Sequence, residues 1–214
     1  MSTKNPSNPL RRLFQVLVTV IVIVGLAACH SDKPPRHPND ICKIFLEYPS
    51  WYWAAQRSKS HWAIPISIQM AIVFKESQFN SNALPPRRKL LGLIPWMRPT
   101  TALGYAQAID DTWRRYLKSE GKISADRDSM NDALDFIGWY VNRIHRKLGI
   151  PMSDVFSLYL AYHEGINGYR AKTFRHNKKL LGIARLVSKR SRIYQRQLLA
   201  CQSVLPKKTL WRFW

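Results

Sequence analysis

Apolar residues at Leu134, Ile137, Val141, Ile144 and Leu148 recur at spacings of 3, 4, 3 and 4. That spacing places them on one face of a helix turned toward a core. No strand alternation of convincing length accompanies it, and no internal repeat. Helical patterns also cover 41–59, 65–78 with Pro65 suited to a first turn, and 153–164 and 178–203. A further helix, "TWRRYLKSEG", is entered by Asp110 and Asp111 and stopped by Gly121. The predicted fold class is mainly α in one domain, with a minor β or irregular loop beside a cleft. That loop is 84–103, "LPPRRKLLGLIPWMRPTTAL", with four prolines, four cations and Trp96. A connection of this length with apolar residues reads as an ordered wall rather than a linker.

The ends carry a different signal. Lys4, Arg11 and Arg12 precede a run from Leu13 to Gly25 that is apolar except for Gln15 and Thr19, the pattern of a secretory signal. The run to Ala28 falls short of the roughly 20 residues a membrane-spanning helix needs. It closes with "LAAC", which resembles a bacterial lipobox, so cleavage after residue 28 and acylation of Cys29 are expected. Residues 1–28 are then a lipoprotein signal peptide and 29–40, polar and proline-rich, a lipid-anchored tether. The domain covers 41–205, and 206–214 is a basic aromatic tail. Cys42 and Cys201 remain, and in an exported compartment such a pair is expected as a disulfide. Neither has a second Cys or His at ligand spacing, so no metal is expected, and no cofactor.

The chain carries a net charge of +21; without the three cations of the signal segment it is 21 − 3 = +18. Such a surface seeks polyanions. An exported chain rarely meets nucleic acid, so export disfavours a nucleic-acid binder, which charge alone would suggest, and favours anionic lipid headgroups and the anionic polymers of a cell wall as partners.

One carboxylate stands out. In "IVFKESQFN", Glu76 follows a nearly unbroken apolar run and shares a helical stripe with Ile72 and Val73. Burial beside them raises a carboxyl pKa, and a place in the last helical turn pushes the same way. Both effects suit a general acid. The edge of an ordinary amphipathic helix has the same local pattern.

The company Glu76 keeps separates these readings. "ESQFN" at 76–80, "GYAQA" at 104–108 and "LAYHEG" at 160–165 stand in the order of three motifs of the soluble-type lytic transglycosylases, Glu-Ser-x-Phe, Gly-Leu-Met-Gln and Ala-Tyr-Asn-x-Gly. The chain resembles that family over roughly 60–200. The resemblance implies a lysozyme-like fold of the goose-type lysozyme and SLT kind, and cleavage of the β-1,4 bond between N-acetylmuramic acid and N-acetylglucosamine in peptidoglycan. It implies Glu76 as catalytic acid and base, Ser77 orienting it and the sugar, and Gln107 and Tyr162 lining the cleft. His163 stands in place of asparagine, Tyr105 and Ala106 replace Leu-Met, and the 84–103 loop is longer than usual. Tyr194 falls where many members carry a second cleft tyrosine. In the loop, Trp96 is expected to pack on a sugar ring while Arg87, Arg88, Lys89 and Arg98 hold peptide stems.

Other readings stay open. Asp110 or Asp111 could serve a hydrolytic muramidase as second carboxylate, though a helix N-cap role is simpler. Glu164 reads as a helix-end acid. A non-catalytic wall-binding or secretion-scaffold lipoprotein would keep the same fold. His30 after Cys29 points to the outer membrane, facing the periplasm. A secretion or cell-wall complex is a further partner, and Lys207, Lys208, Trp211 and Trp214 suit an anionic membrane surface.

Overall fold

A computed structural model describes residues 33–87, 89–90, 94–95 and 98–205. Among them are seven α-helices: α1 Ile41–Glu47, α2 Pro49–Trp62, α3 Ile66–Ser77, α4 Asp110–Glu120, α5 Met130–Leu148, α6 Val155–Arg170 and α7 Lys178–Ala200. A 3-10 turn, Thr173–His176, leads from α6 to α7. Two short antiparallel strands, β1 Lys89–Leu90 and β2 Ile94–Pro95, pair Lys89 with Pro95 and Leu90 with Ile94. The signal segment, Cys29, Arg88, Trp96 and the basic aromatic tail lie outside the described residues.

The helix α3 is the central element: Ile66, Ile68, Met70, Ala71, Ile72 and Val73 are all buried, and so are Ser67 and Gln69, which bond to Gln195 and to the Ala55 and Ile64 carbonyls. A helix this apolar, with its few buried polar side chains hydrogen-bonded, belongs inside. It packs against α5 and α7, while α2 lies along α5 and α6 along α7. Local chemistry sets the ends. Asp40, Ser129, Asp154 and Asn177 accept backbone N–H groups at the starts of α1, α5, α6 and α7, each cap worth about 1 kcal/mol. The expected single helix over 41–59 is two. Pro49 lacks the N–H that would continue α1, its ring would meet the carbonyl one turn back, and it begins α2 instead. Asp110 and Asp111 lie in the first turn of α4, whose cap position is Ile109. The N-cap role expected for them is therefore not realised, and Asp110 accepts from Arg127 at 2.8 Å.

The tether differs as well. From Lys33 on, the chain is strapped onto the helical body rather than extended away from it. Pro35 is buried, and the carbonyl of Lys33 accepts from the Tyr48 hydroxyl at 2.8 Å. The Asn39 side chain accepts from Arg190 at 2.9 Å and its carbonyl from Gln197 at 3.1 Å. A disulfide joins Cys42 to Cys201 with their Cα atoms 6.2 Å apart, fixing the strap beside the C-terminal end of α7. At the other end Leu205 is buried.

Inside the bundle, Asp135 on α5 ties three elements together. Its carboxylate accepts from Trp62 Nε1 at 2.8 Å, from the Tyr116 hydroxyl at 2.6 Å and from Lys122. Burial opposes its ionisation, yet these donors hold its pKa below the ordinary value.

Candidate active site

The last turn of α3 carries Glu76. Two successive residues in the left-handed region, Gln78 (φ 52°) and Phe79 (φ 63°), then stop the helix abruptly. Such a conformation is uncommon for a bulky residue. Here it is held by Phe79, fully buried and stacked on Trp51 with centroids 5.8 Å apart. The chain after the turn runs to Ala83, whose carbonyl accepts from Gly104 N–H at 3.0 Å and from Gln107 Nε2 at 2.8 Å. This joins the 76–80 motif to the 104–108 motif. Gly104 is required there: its φ is +75°, and a Cβ would stand 2.0 Å from the carbonyl oxygen of Arg127.

The third motif arrives on α6. The Tyr159 hydroxyl donates to Glu76 Oε1 at 2.8 Å, and the Tyr162 hydroxyl donates to the carbonyl of Ala106 at 2.8 Å. Gly165 breaks α6 with φ 74° and ψ 166°, a region open essentially to glycine alone. The kink turns the helix just beyond His163 and Glu164.

These elements enclose a cleft of about 840 Å³, within the 300–1,000 Å³ of typical ligand sites. Glu76 is half-buried at its wall, with Gln107, Tyr140, Tyr162 and His163 around it. Pro85, Pro86, Thr100 and Ala102, from the proline-rich loop, line the cleft too, so the loop contributes a wall as read from the sequence. Burial raises the Glu76 pKa above its ordinary value; the Tyr159 hydrogen bond and the charges of Lys75 and His163 lower it, and burial prevails. Burial, with Glu76 beside it, pushes the Tyr159 phenol up, so it remains a donor. The cleft's other carboxylate, Glu164, is held below its usual range, first by the Thr173 hydroxyl and then by His163, whose Nδ1 lies 3.0 Å away.

The structure brings Glu76, Gln107, Tyr162 and His163 together and separates them from others. Ser77, expected to orient the acid, is buried with its hydroxyl donating to the Val73 carbonyl at 3.1 Å. That is the helix's own i−4 carbonyl, so this hydroxyl is turned inward. Tyr194, expected in the cleft, is fully buried, its hydroxyl donating to the carbonyl of Pro38; it is part of the strap contact instead. Neither residue lines the cleft. The amide nitrogen of Gln107 is committed to the Ala83 and Gly104 carbonyls. Arg87 and Arg98 are exposed, Arg98 donating to the Pro85 carbonyl, and neither lines the cleft. Among the described residues, the cations that do are Arg115, Arg143, Lys147 and Arg170. Sequence reading missed these and Tyr159; the one available signal for Tyr159 was its spacing of three and four from Tyr162 and His163 on the same helix.

Residues 17–201 match the family model of the transglycosylase SLT domain. The chain belongs to that family, and its mainly α architecture is that of a lysozyme-like SLT domain acting on peptidoglycan in the cell envelope. No curated protein and no solved structure is significantly similar to it.

Proposed function

We infer that the chain is a peptidoglycan lytic transglycosylase in which Glu76 serves as acid and then as base. The observation that carries this reading is one carboxyl, raised by burial, hydrogen-bonded by a tyrosine and open to a cleft of sugar-strand size. Protonated Glu76 gives its proton to the glycosidic oxygen, and the bond from that oxygen to C1 of the muramic acid breaks. The resulting carboxylate takes the proton of the C6 hydroxyl on the same sugar as O6 bonds to C1. The product is a 1,6-anhydro ring, no water is consumed, and Glu76 is again protonated. Most glycosidases need a second carboxyl to handle water or act as nucleophile; here the sugar supplies the nucleophile. Tyr159 supports the ionised stage by donating to the carboxylate, while Gln107, Tyr162 and His163 line the strand. Arg115, Arg143, Lys147 and Arg170 offer charge to the carboxylates of the peptide stems.

Hydrolysis on the same fold is the second reading, and Glu164 favours it: it lines the cleft and is held ionised by Thr173 and His163. Asp110 and Asp111 are absent from the lining, which moves the hydrolytic alternative away from them. Mass spectrometry of digested sacculi decides between the courses. Anhydro-muropeptides, lighter than reducing ones by one water, are the expected product, and reducing ends alone would overturn the transglycosylase. In Glu76→Gln, lysis should vanish while wall binding and folding persist; lysis at the unmutated rate would remove Glu76 from the mechanism.

The N-terminal reading joins this one: residues 1–28 as signal peptide, Cys29 as acylated anchor, and the outer membrane, facing the periplasm, as its location. Labelled palmitate should enter the unmutated protein and not Cys29→Ser, and fractionation should place the label in the outer membrane.

A further inference from the structure

The last helix carries a feature that the cleft does not use. In α7, Lys178, Arg185, Lys189, Arg192 and Arg196 are all exposed. At 3.6 residues per turn they fall within an arc of about 60° and run about 27 Å along the helix. Leu180, Ala184, Val187, Ser191 and Tyr194 occupy the opposite side and are buried, where α7 packs on α3 and α6. There is no Asp or Glu anywhere in α7. None of the five cations pairs with a carboxylate among the described residues. The segment that follows, 206–214, adds Lys207, Lys208 and Arg212 and no acidic side chain, so it does not neutralise the row. Like charges aligned along one face repel one another, and an external anion relieves that repulsion.

We propose that this outer face of α7 docks on an anionic phospholipid surface. Leu186 and Leu199, 64% and 66% exposed, flank the row on its two sides. Leucines there gain nothing from the carboxylates of a wall polymer. At a bilayer they enter the headgroup boundary while lysine and arginine stems lie along it with their charges outward. A straight row of this length also fits a plane. No residue of α7 lines the cleft, so docking leaves the cleft uncovered for the glycan strand. Nothing in this inference depends on which residue is the acid, or on acylation of Cys29.

The test mixes the full chain with vesicles of phosphatidylcholine alone or of phosphatidylcholine with phosphatidylglycerol. A membrane-impermeant amine-reactive reagent is added, and modification of each lysine is followed by mass spectrometry. Lys118 on α4 and Lys59 on α2, both exposed, serve as internal references. Each cation near an anionic surface adds on the order of fivefold in partitioning, so Lys189 should react about fivefold or more slowly, relative to Lys118, on the anionic vesicles. The variant Arg185→Glu/Arg192→Glu/Arg196→Glu, changed only on the exposed face, should erase that difference. Equal Lys189-to-Lys118 ratios on the two vesicle types would overturn the proposal. So would protection of Lys189 by purified sacculi but not by anionic vesicles, which would assign the face to wall polymer. Loss of lysis in Glu76→Gln is read separately, so failure of either idea leaves the other standing.

Discussion

Replacing Tyr159 by phenylalanine removes one atom that matters, the hydroxyl donating to Glu76 Oε1 at 2.8 Å. The ring is almost fully buried and phenylalanine keeps its volume, so packing changes little. A hydrogen bond to a charged group contributes about 1.5–3 kcal/mol, against about 1 kcal/mol between neutral partners. The donor therefore favours the ionised carboxyl over the protonated one by roughly 0.5–2 kcal/mol, a factor of about 2 to 30. Its removal leaves burial less opposed, and Glu76 holds its proton to higher pH than in the unmutated protein. If Glu76 acts as the acid, the alkaline limb of the rate of muropeptide release from sacculi moves to higher pH. The direct measurement is the carboxyl titration of Glu76, by carbon-13 NMR or infrared difference spectroscopy, in the two proteins. Stability carries the same sign. The melting deficit of Tyr159→Phe should be smallest in acid, where the lost bond is between neutral groups, and should grow as pH rises and Glu76 ionises. An unmoved Glu76 titration, or one moved toward acid, would refute the assignment of Tyr159 as the group that eases ionisation.

The disulfide closes a separation of 159 residues, and the chain-entropy estimate for such a loop is about 5 kcal/mol at 25 °C. At 2–4 °C per kcal/mol for a domain of this size, Cys42→Ser/Cys201→Ser should melt roughly 10–20 °C lower. It should keep its activity at 25 °C, because neither cysteine lines the cleft; a fall under 2 °C or so by calorimetry would contradict the loop-closure account. Gly165→Ala meets no backbone, the nearest atom to its Cβ being the Tyr140 hydroxyl at 3.8 Å. Its φ nonetheless makes it cost about 1–3 kcal/mol, whereas Gly182→Ala, in open space on α7, should stabilise by about 0.5–1 kcal/mol; equal melting temperatures would show that the kink can relax. Arg143→Glu/Lys147→Glu should raise KM for sacculi with little change in kcat, an effect that shrinks as salt screens it; unchanged KM would free these cations from stem binding. The Glu76→Gln variant should be more stable than its parent above the pH at which Glu76 ionises and no more stable in acid. A raised folded pKa means that the folded state loses stability as pH rises from the ordinary carboxyl range through that value.

What the sequence showed and what it hid divide along a physical line. The α5 stripe was legible because its apolar residues recur on one side only, and all but the terminal Leu148 are buried. The place of Glu76 at the end of a buried helix was legible in the apolar run before it, but only the order of the three motifs set it apart from an ordinary helix-end acid. The tether was misread because proline and charge describe a segment only by its own composition, while what holds it is Tyr194, Arg190 and Gln197, about 150 residues away. Ser77 was misplaced for a related reason: the direction of its hydroxyl is settled by the helix end around it, through the Val73 carbonyl it back-bonds.

Tyr159 was hidden by the run "LYLAY" at 158–162, where every side is apolar or aromatic and periodicity cannot say which ring meets the acid. The pairing spans 83 residues and depends on where α6 lies against the end of α3. The kink at Gly165 and the turn at Gly104 locate the neighbouring segments around that contact. Burial of Glu76 is written locally, in Ile72 and Val73, but the donor that counters it is contributed by another helix. On the proposed mechanism a carboxyl that releases a proton and then recovers one draws on both influences, burial favouring the protonated form and the donor the ionised one. The donor that offsets burial is thus the one a single helix cannot specify.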